Sequence, residues 1–228
     1  MERHFQTDID KLKTTIIKMA SMVEVAVDES TCSLLESDRQ LAIKVIEGDQ
    51  RVNALEIEID NAIIDLLALQ QPVATDLRFI LAATRITHDL ERIGDHAVNI
   101  AESDLNLAAT PDKELLLEIP RMAEIAQTML KNAIDGFIHN DSALGQSVLQ
   151  KDDVIDELNR TMAQRVLERM KLDQNLIEEG MDIIRVSKNL ERIADLATNI
   201  AEDVIFITQA RVVKHHAEDN NFISGEKP

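Results

Sequence analysis

The sequence predicts an all-α protein built as two tandem, structurally similar three-helix bundles. Apolar residues recur at spacings of three and four over long stretches, the signature of amphipathic helix. Only 6 Gly and 4 Pro interrupt 228 residues that are 45% hydrophobic, which leaves little for the tight turns of a sheet. Most telling, Asp89–Glu102, DLERIGDHAVNIAE, returns as Asn189–Glu202, NLERIADLATNIAE, with ten of fourteen residues identical at an offset of 100. A fixed-offset repeat of this kind means that one supersecondary unit has been built twice.

The first helix is expected over about Phe5–Glu36, with Leu12, Ile16, Met19, Val23, Val27 and Leu34 on its buried side. Ser37-Asp38 supplies an N-cap for a second helix over Arg39–Leu69, which buries Leu41, Val45, Val52, Leu55, Ile59, Ala62 and Leu66. That helix stops before Gln71-Pro72, because the residue preceding a proline disfavours the α conformation. Thr75 or Asp76 can cap the third helix, which carries the first repeat motif to about Leu107. Ala108–Lys113 reads as the boundary between halves, and Glu114–Ile119 as a separate turn, since Pro120 fits the first turn of a new helix. The fourth helix runs to about His139, a fifth is capped by Asn140-Asp141 and continues to about Lys171, and a sixth spans Asn175–Val213.

This divides the chain into a first bundle over 1–108, a second over 109–213 and a mobile tail over 214–228. The repeat extends beyond the motif at an offset of 103, placing Asp38 over Asp141, Leu41 over Leu144 and Asp49 over Asp152. The change from 103 to 100 falls in the connection between second and third helix of each half, where a duplication tolerates it.

Composition excludes several classes. A formal net charge of −18 opposes a nucleic-acid partner, which needs clustered Lys and Arg, and the absence of Trp and Tyr leaves little for base stacking. Cys32 is the single cysteine, so an intrachain disulfide and a thiolate-rich zinc site are ruled out and its role is helix packing in a reducing compartment. The N-terminus lacks the apolar core of a signal peptide, and no run approaches the roughly 18 apolar residues of a membrane span. The expectation is a cytoplasmic protein without membrane insertion.

The acidic stripes carry the candidate site. At about 100° per residue, Glu91, Asp95, Asn99 and Glu102 share one helix face opposite Leu90, Ile93, Ala97, Ile100 and Ala101. Glu191, Asp195, Asn199 and Glu202 do the same opposite Leu190, Ile193, Ala197, Ile200 and Ala201. Carboxylates at i and i+4 repel by several tenths of a kcal/mol, and a hard cation would turn that cost into coordination. Glu91, Asp95, Glu191 and Asp195 are therefore candidate metal ligands, with Asn99 and Asn199 as further amide-oxygen donors. Oxygen ligands favour Mg²⁺, Ca²⁺ or Mn²⁺, while iron or zinc can be accommodated. The competing reading is a solvated acidic face neutralised by His88 and Lys188, each three residues before its glutamate. A further pair, Glu24 and Asp28, has Gln127 and Lys131 at the equivalent positions, which breaks the symmetry of the halves. Arg78, Arg85, Arg92, Arg185 and Arg192 read as intramolecular ion-pair partners, since their spacing defines no convergent phosphate pocket.

The segment Val45–Leu69, the following QPVATDLR over Gln71–Arg78 and the two LERI-x-D helices resemble the PhoU family of phosphate-signalling proteins, from about His4 to Ile207. The resemblance implies a cytoplasmic, often dimeric protein of two three-helix bundles that represses the phosphate-starvation response. It further implies action through the phosphate-transporter ATPase subunit and the associated sensor histidine kinase, and multinuclear metal clusters on E(D)xxxD motifs, here Glu91–Asp95 and Glu191–Asp195. A structural helical scaffold and a metal-dependent enzyme are the competing classes. No Glu-x-x-His pairs of a di-iron bundle, Gly-rich phosphate loop, nucleophile elbow or Cys-His arrangement occurs, which disfavours the enzyme.

Overall fold

Two bundles of long helices make up the computed structural model, which describes residues 2–69, 72, 74–107, 112 and 114–210. Helices α1 (Glu2–Glu36), α2 (Arg39–Leu69) and α3 (Ala74–Asn106) pack on one another to form the first bundle. The second is formed by α4 (Ile119–His139), α5 (Ser142–Leu149), α6 (Asp152–Leu172) and α7 (Ile177–Gln209), with a 3-10 turn over Gln174–Leu176 leading into α7. Among the described residues there is no strand.

The first turn of each bundle is built identically. Ser37 (φ 56°) and Asn140 (φ 52°), 103 residues apart, adopt the left-handed conformation that ends a helix. The next residue, Asp38 or Asp141, bonds back by its backbone N–H to Ser33 or Gly136, each at 2.9 Å. The same aspartates then cap the following helix. Asp38 Oδ1 accepts from the N–H groups of Gln40 and Leu41, and Asp141 Oδ1 from those of Ala143 and Leu144. The predicted N-caps are thus the aspartates of Ser37-Asp38 and Asn140-Asp141.

Elsewhere the elements differ from expectation in detail. On α2 the buried stripe takes Ala42 and Ile63, leaving Leu41 and Ala62 half-buried, because it follows 42, 45, 52, 55, 59, 63 and 66 along a 3.6-residue period. The single helix expected from Asn140-Asp141 to Lys171 is broken at Gln150-Lys151. There Lys151 N–H donates to the Val148 carbonyl and Val154 N–H to that of Lys151, tightening the helix by two i to i+3 bonds. No Gly or Pro marks this break, but Asp152 and Asp153 fall in the first turn of α6, where acidic side chains suit the helix dipole. Helix α3 starts at Ala74, so Thr75 and Asp76 lie inside its first turn and do not cap it. Residues 114–118 form a turn, and Pro120 sits in the first turn of α4 as its fixed φ requires. The helix expected over Asn175–Val213 ends earlier, at Gln209, because Ala210 takes the left-handed conformation (φ 52°) with its N–H on the Phe206 carbonyl. The expected boundary at 108–113 falls outside the described residues apart from Asp112, as does the tail over 214–228.

The bundles meet mainly along α3 and α7, which run antiparallel: Arg85 pairs with Asp203, His96 with Asn189, and Arg185 with Asn99 and Glu102. Ala97, Ala101, Ala197 and Ala201 are fully buried, the first two in the first bundle and the last two in the second. The Arg85 guanidinium also lies 5.3 Å from the centre of the Phe206 ring. One core runs through both halves, including Ile16, Met19 and Ile59 in the first and Met122, Met129 and Ile183 in the second.

Two glycines separate close packing from open helix. A Cβ on Gly145 would come within 3.1 Å of the Ala201 carbonyl oxygen and 3.2 Å of Ile205 Cγ1, so α5 lies directly on the backbone of α7. A Cβ on Gly48 would meet nothing within 4 Å. Gly145→Ala is expected to cost about 1–3 kcal/mol and lower Tm by several degrees, while Gly48→Ala stabilises by about 0.5–1 kcal/mol. Thermal melts of both variants check this, and a neutral Gly145→Ala would show that α5 does not need the close approach.

Candidate functional site

In the first bundle Glu91 on α3 meets Glu56 on α2 and His88 one turn earlier on α3. One ligand atom from each lies within 4.8 Å of the others, and His88 Nδ1 is 3.5 Å from Glu56 Oε1. Asp95 is exposed and does not join this group. It lies beside Asp49, whose Oδ2 accepts from Asn53 Nδ2 at 2.8 Å and whose Oδ1 is buried without a hydrogen-bond donor. Burial, with the neighbouring Asp95 and Glu56 carboxylates, pushes the Glu91 carboxyl up.

The second bundle holds the tighter arrangement. Glu191 and Asp195 on α7 meet Asp156 on α6, again with ligand atoms within 4.8 Å. Glu191 is only 9% exposed, so its place on the stripe is no solvated face. Its Oε1 accepts from Lys188 Nζ at 2.5 Å, whereas Oε2 is buried without a hydrogen bond, with Arg192 Nε 3.8 Å away. Asp156 Oδ1 is likewise buried without a donor. One turn before it, Asp152 Oδ1 accepts from Thr198 Oγ1 at 3.2 Å. Burial, followed by the Glu191 carboxylate, pushes the Asp195 carboxyl up to about 6 against the opposing effect of Arg192. Leaving a buried carboxylate oxygen without a donor costs at least about 1–3 kcal/mol. A divalent cation shared by Asp156, Glu191 and Asp195 would remove that cost, so the residues present fit a metal ion.

The structure therefore groups Glu191 with Asp195, while Asp95 stays close enough to Glu91 to raise its carboxyl but lies outside the group with Glu56 and His88. Of the two asparagines, Asn99 Oδ1 accepts from Arg185 Nη2 at 3.0 Å, while Asn199 donates to Asp89 and lines the same cleft as Asp156, Glu191 and Asp195. Sequence reasoning missed Glu56 and Asp156 and gave His88 only a neutralising role. Asp156 was readable, since Asp152 and Asp156 form another i, i+4 pair and the 103-residue register aligns them with Asp49 and Asn53. That alignment also shows where the halves differ, because Asn53 stands where the second half has a carboxylate.

The missing counterpart of Glu24 and Asp28 has a packing cause. Those residues face α4 itself, where Gln127 Nε2 donates to Asp28 Oδ1 at 3.4 Å and both Asp135 and Lys131 lie beside Glu24. Lys131 offsets part of the repulsion between Glu24 and Asp135, which a carboxylate in its place would add to.

The arginines are mostly ion-paired as expected. Arg85 binds Asp203, Arg185 lies 3.1 Å from Glu102, and Arg192 donates to Asp195 at 2.9 Å. Arg78 differs, its Nη2 reaching Thr75 Oγ1 at 3.4 Å. Two of the set do converge, contrary to expectation. Arg92 from α3 and Arg192 from α7 line one cleft of about 450 Å³ with Asp152, Asp156, Glu191 and Asp195. The antiparallel seam brings them together although they are 100 residues apart. Burial and the carboxylates of Asp28, Glu36 and Glu29 push the Cys32 thiol up, which suits a packing residue and not a reactive one.

The PhoU domain family model matches the chain twice, over residues 16–103 and 119–204. The chain belongs to the PhoU family. It is 37% identical over 208 residues to a phosphate-specific transport system accessory protein PhoU homolog of Aquifex aeolicus, covering 91% of this chain and 94% of that protein. The crystal structure of PhoU from Pseudomonas aeruginosa superposes with a TM-score of 0.89 at 32% identity, covering 91% of this chain and all 100% of that one. The phosphate transport system regulatory protein PhoU from Streptococcus pneumoniae gives 0.83 at 26% identity over 92% of this chain and 100% of its own. The PhoU repeats coincide with the two bundles, so the duplication read from the LERI-x-D helices is that of the family domain.

The shifted carboxyls set a pH dependence. Asp89, buried and close to Asp203, is pushed up to about 6 against Arg92, His88 and the Asn199 bond, and Asp195 is pushed to about 6 as well. Both hold their proton more tightly folded than unfolded, where the ordinary value is 3.8, so this stabilisation is complete below about 4 and lost as pH rises through about 6. Metal-stripped protein should melt a few degrees higher at pH 5 than at pH 7.5, and Asp89→Asn with Asp195→Asn should flatten the difference. Melting curves that do not shift between these pH values in the wild type would contradict the assignment.

Proposed function

We propose that this chain is a non-catalytic regulator of phosphate uptake and of phosphate-starvation signalling, acting as an adaptor to the phosphate ABC-transporter ATPase subunit and its sensor histidine kinase. The observation that carries this reading is the PhoU domain repeated over both bundles, with relatives named for accessory or regulatory roles in phosphate transport. Cytoplasmic residence is the setting in which an adaptor reaches an ATPase subunit and a kinase. A homodimer is the assembly the family resemblance implies. No helix among the described residues is long and apolar enough to cross a membrane, so contact with a transporter would run through protein surfaces. The reading includes a divalent cation bound by Asp156, Glu191 and Asp195, and a second by Glu91 with Glu56 and His88, where the imidazole would favour zinc or iron more than magnesium.

A strain lacking this protein is expected to keep its phosphate-starvation genes active, or its uptake unrestrained, when phosphate is plentiful. Normal repression together with normal uptake would contradict the regulator. For the cations, titration of metal-stripped protein with Mg²⁺, Mn²⁺, Fe²⁺ and Zn²⁺ provides the measurement. Asp156→Asn or Glu191→Gln should weaken binding at least roughly tenfold with helicity retained, since three carboxylates supply most of the protein ligands. Unaltered binding in both variants would leave the second-bundle acidic group without a ligand role.

A further inference from the structure

We propose that the second-bundle cleft binds inorganic phosphate together with its divalent cation, the anion being held between the metal and the guanidinium groups of Arg92 and Arg192. This rests on the cation reading above and adds a ligand to it. The cleft, about 450 Å³, has room for a phosphate and several waters beside a metal ion. Its walls are chemically divided: Asp152, Asp156, Glu191 and Asp195 are acceptors, while Arg92 and Arg192 are the facing donors. Glu191 Oε2 marks the cation position, as a buried oxygen with no hydrogen bond on a side chain that is 9% exposed.

Loading that position changes what the arginines can do. Arg192 is engaged with the groups a cation would take, donating to Asp195 Oδ2 at 2.9 Å with its Nε 3.8 Å from Glu191 Oε2. A metal on those carboxylates competes directly with the guanidinium and releases it into the cleft. Arg92 is loosely held, 3.8 Å from Asp89 Oδ1, beyond hydrogen-bonding range. The four lining carboxylates exceed the two guanidiniums, so an anion meets a net negative wall in the metal-free protein; one divalent cation cancels the surplus. Three carboxylates leave coordination positions open on a hard cation, which readily takes phosphate oxygens alongside one or more carboxylates. Planar guanidinium forks match the remaining oxygens of a tetrahedral phosphate. Cation and phosphate should therefore bind cooperatively, each strengthening the other by the same factor.

The full chain, stripped of metal and then loaded with Mn²⁺, is titrated with inorganic phosphate by calorimetry, while bound Mn²⁺ is followed by electron paramagnetic resonance. The expected result is about one phosphate per chain in the Mn²⁺-loaded protein, with affinity at least roughly tenfold lower in the stripped protein. Arg92→Gln should weaken phosphate by a similar factor and leave Mn²⁺ binding in the absence of phosphate unchanged. Asp156→Asn should weaken both. Mn²⁺ bound at Asp156 with no phosphate uptake overturns this proposal and leaves the cation reading intact, as does phosphate binding indifferent to Mn²⁺ or to Arg92→Gln. Absence of binding of Mn²⁺, and of Mg²⁺, Fe²⁺ and Zn²⁺ in the same titration, overturns the cation reading and this proposal together.

Discussion

Everything functional in this molecule depends on the antiparallel packing of α3 against α7. The two helices carry the repeated motif and lie against each other along much of their length. Polar pairs then set its register: His96 Nδ1 and Asn189 Oδ1 are 2.8 Å apart, and Arg85 and Arg185 each reach a carboxylate of the opposite half. The arginine pairs match across the repeat, since Arg85 and Arg185 are 100 residues apart, whereas His96 and Asn189 have Leu196 and Asp89 at the equivalent positions. The seam is thus symmetric in its arginines and asymmetric at this central pair.

That asymmetry reaches the acidic groups. Both halves derive from one pattern, yet the first gathers Glu91 with a glutamate and a histidine, and the second gathers Glu191 with two aspartates. Asn53 in place of the second half's Asp156 removes a charge from the first bundle, and exposure of Asp95 removes another from its group. Burial makes the second group costlier when ionised, which is why Asp195 titrates near 6 and why buried oxygens of Glu191 and Asp156 have no donor. Such strain is tolerable where a ligand can relieve it. Duplication supplied the scaffold, and divergence of a few polar side chains made two different acidic groups on it.

Most of the fold was legible because its determinants are local. Leu12, Ile16, Met19, Val23, Val27 and Leu34 lie on one side of any helix that this segment forms, and all are buried. Asp38 and Asp141 cap helices through bonds spanning only two or three residues. The break at Gln150-Lys151 was not legible, since neither residue forbids helix and the i to i+3 bonds arise in the packed second bundle. Of the site, the chain showed the stripe on each motif helix and stopped there. Glu56 and Asp156 arrive from a different helix, and nothing in the spacing of Glu91 and Asp95 reveals that their chemistry diverges.

The sequence by itself determined the helical class, the twofold repetition, the family and the presence of paired carboxylates, because each follows from periodicity or from residues adjacent on one helix. Only the tertiary structure decided which carboxylates lie together, which oxygens lack donors, and that Arg92 and Arg192 line one cleft. Those facts depend on how α6, α3 and α7 approach one another. A helical period fixes direction around an axis but carries no information about the distance or angle to a neighbouring axis.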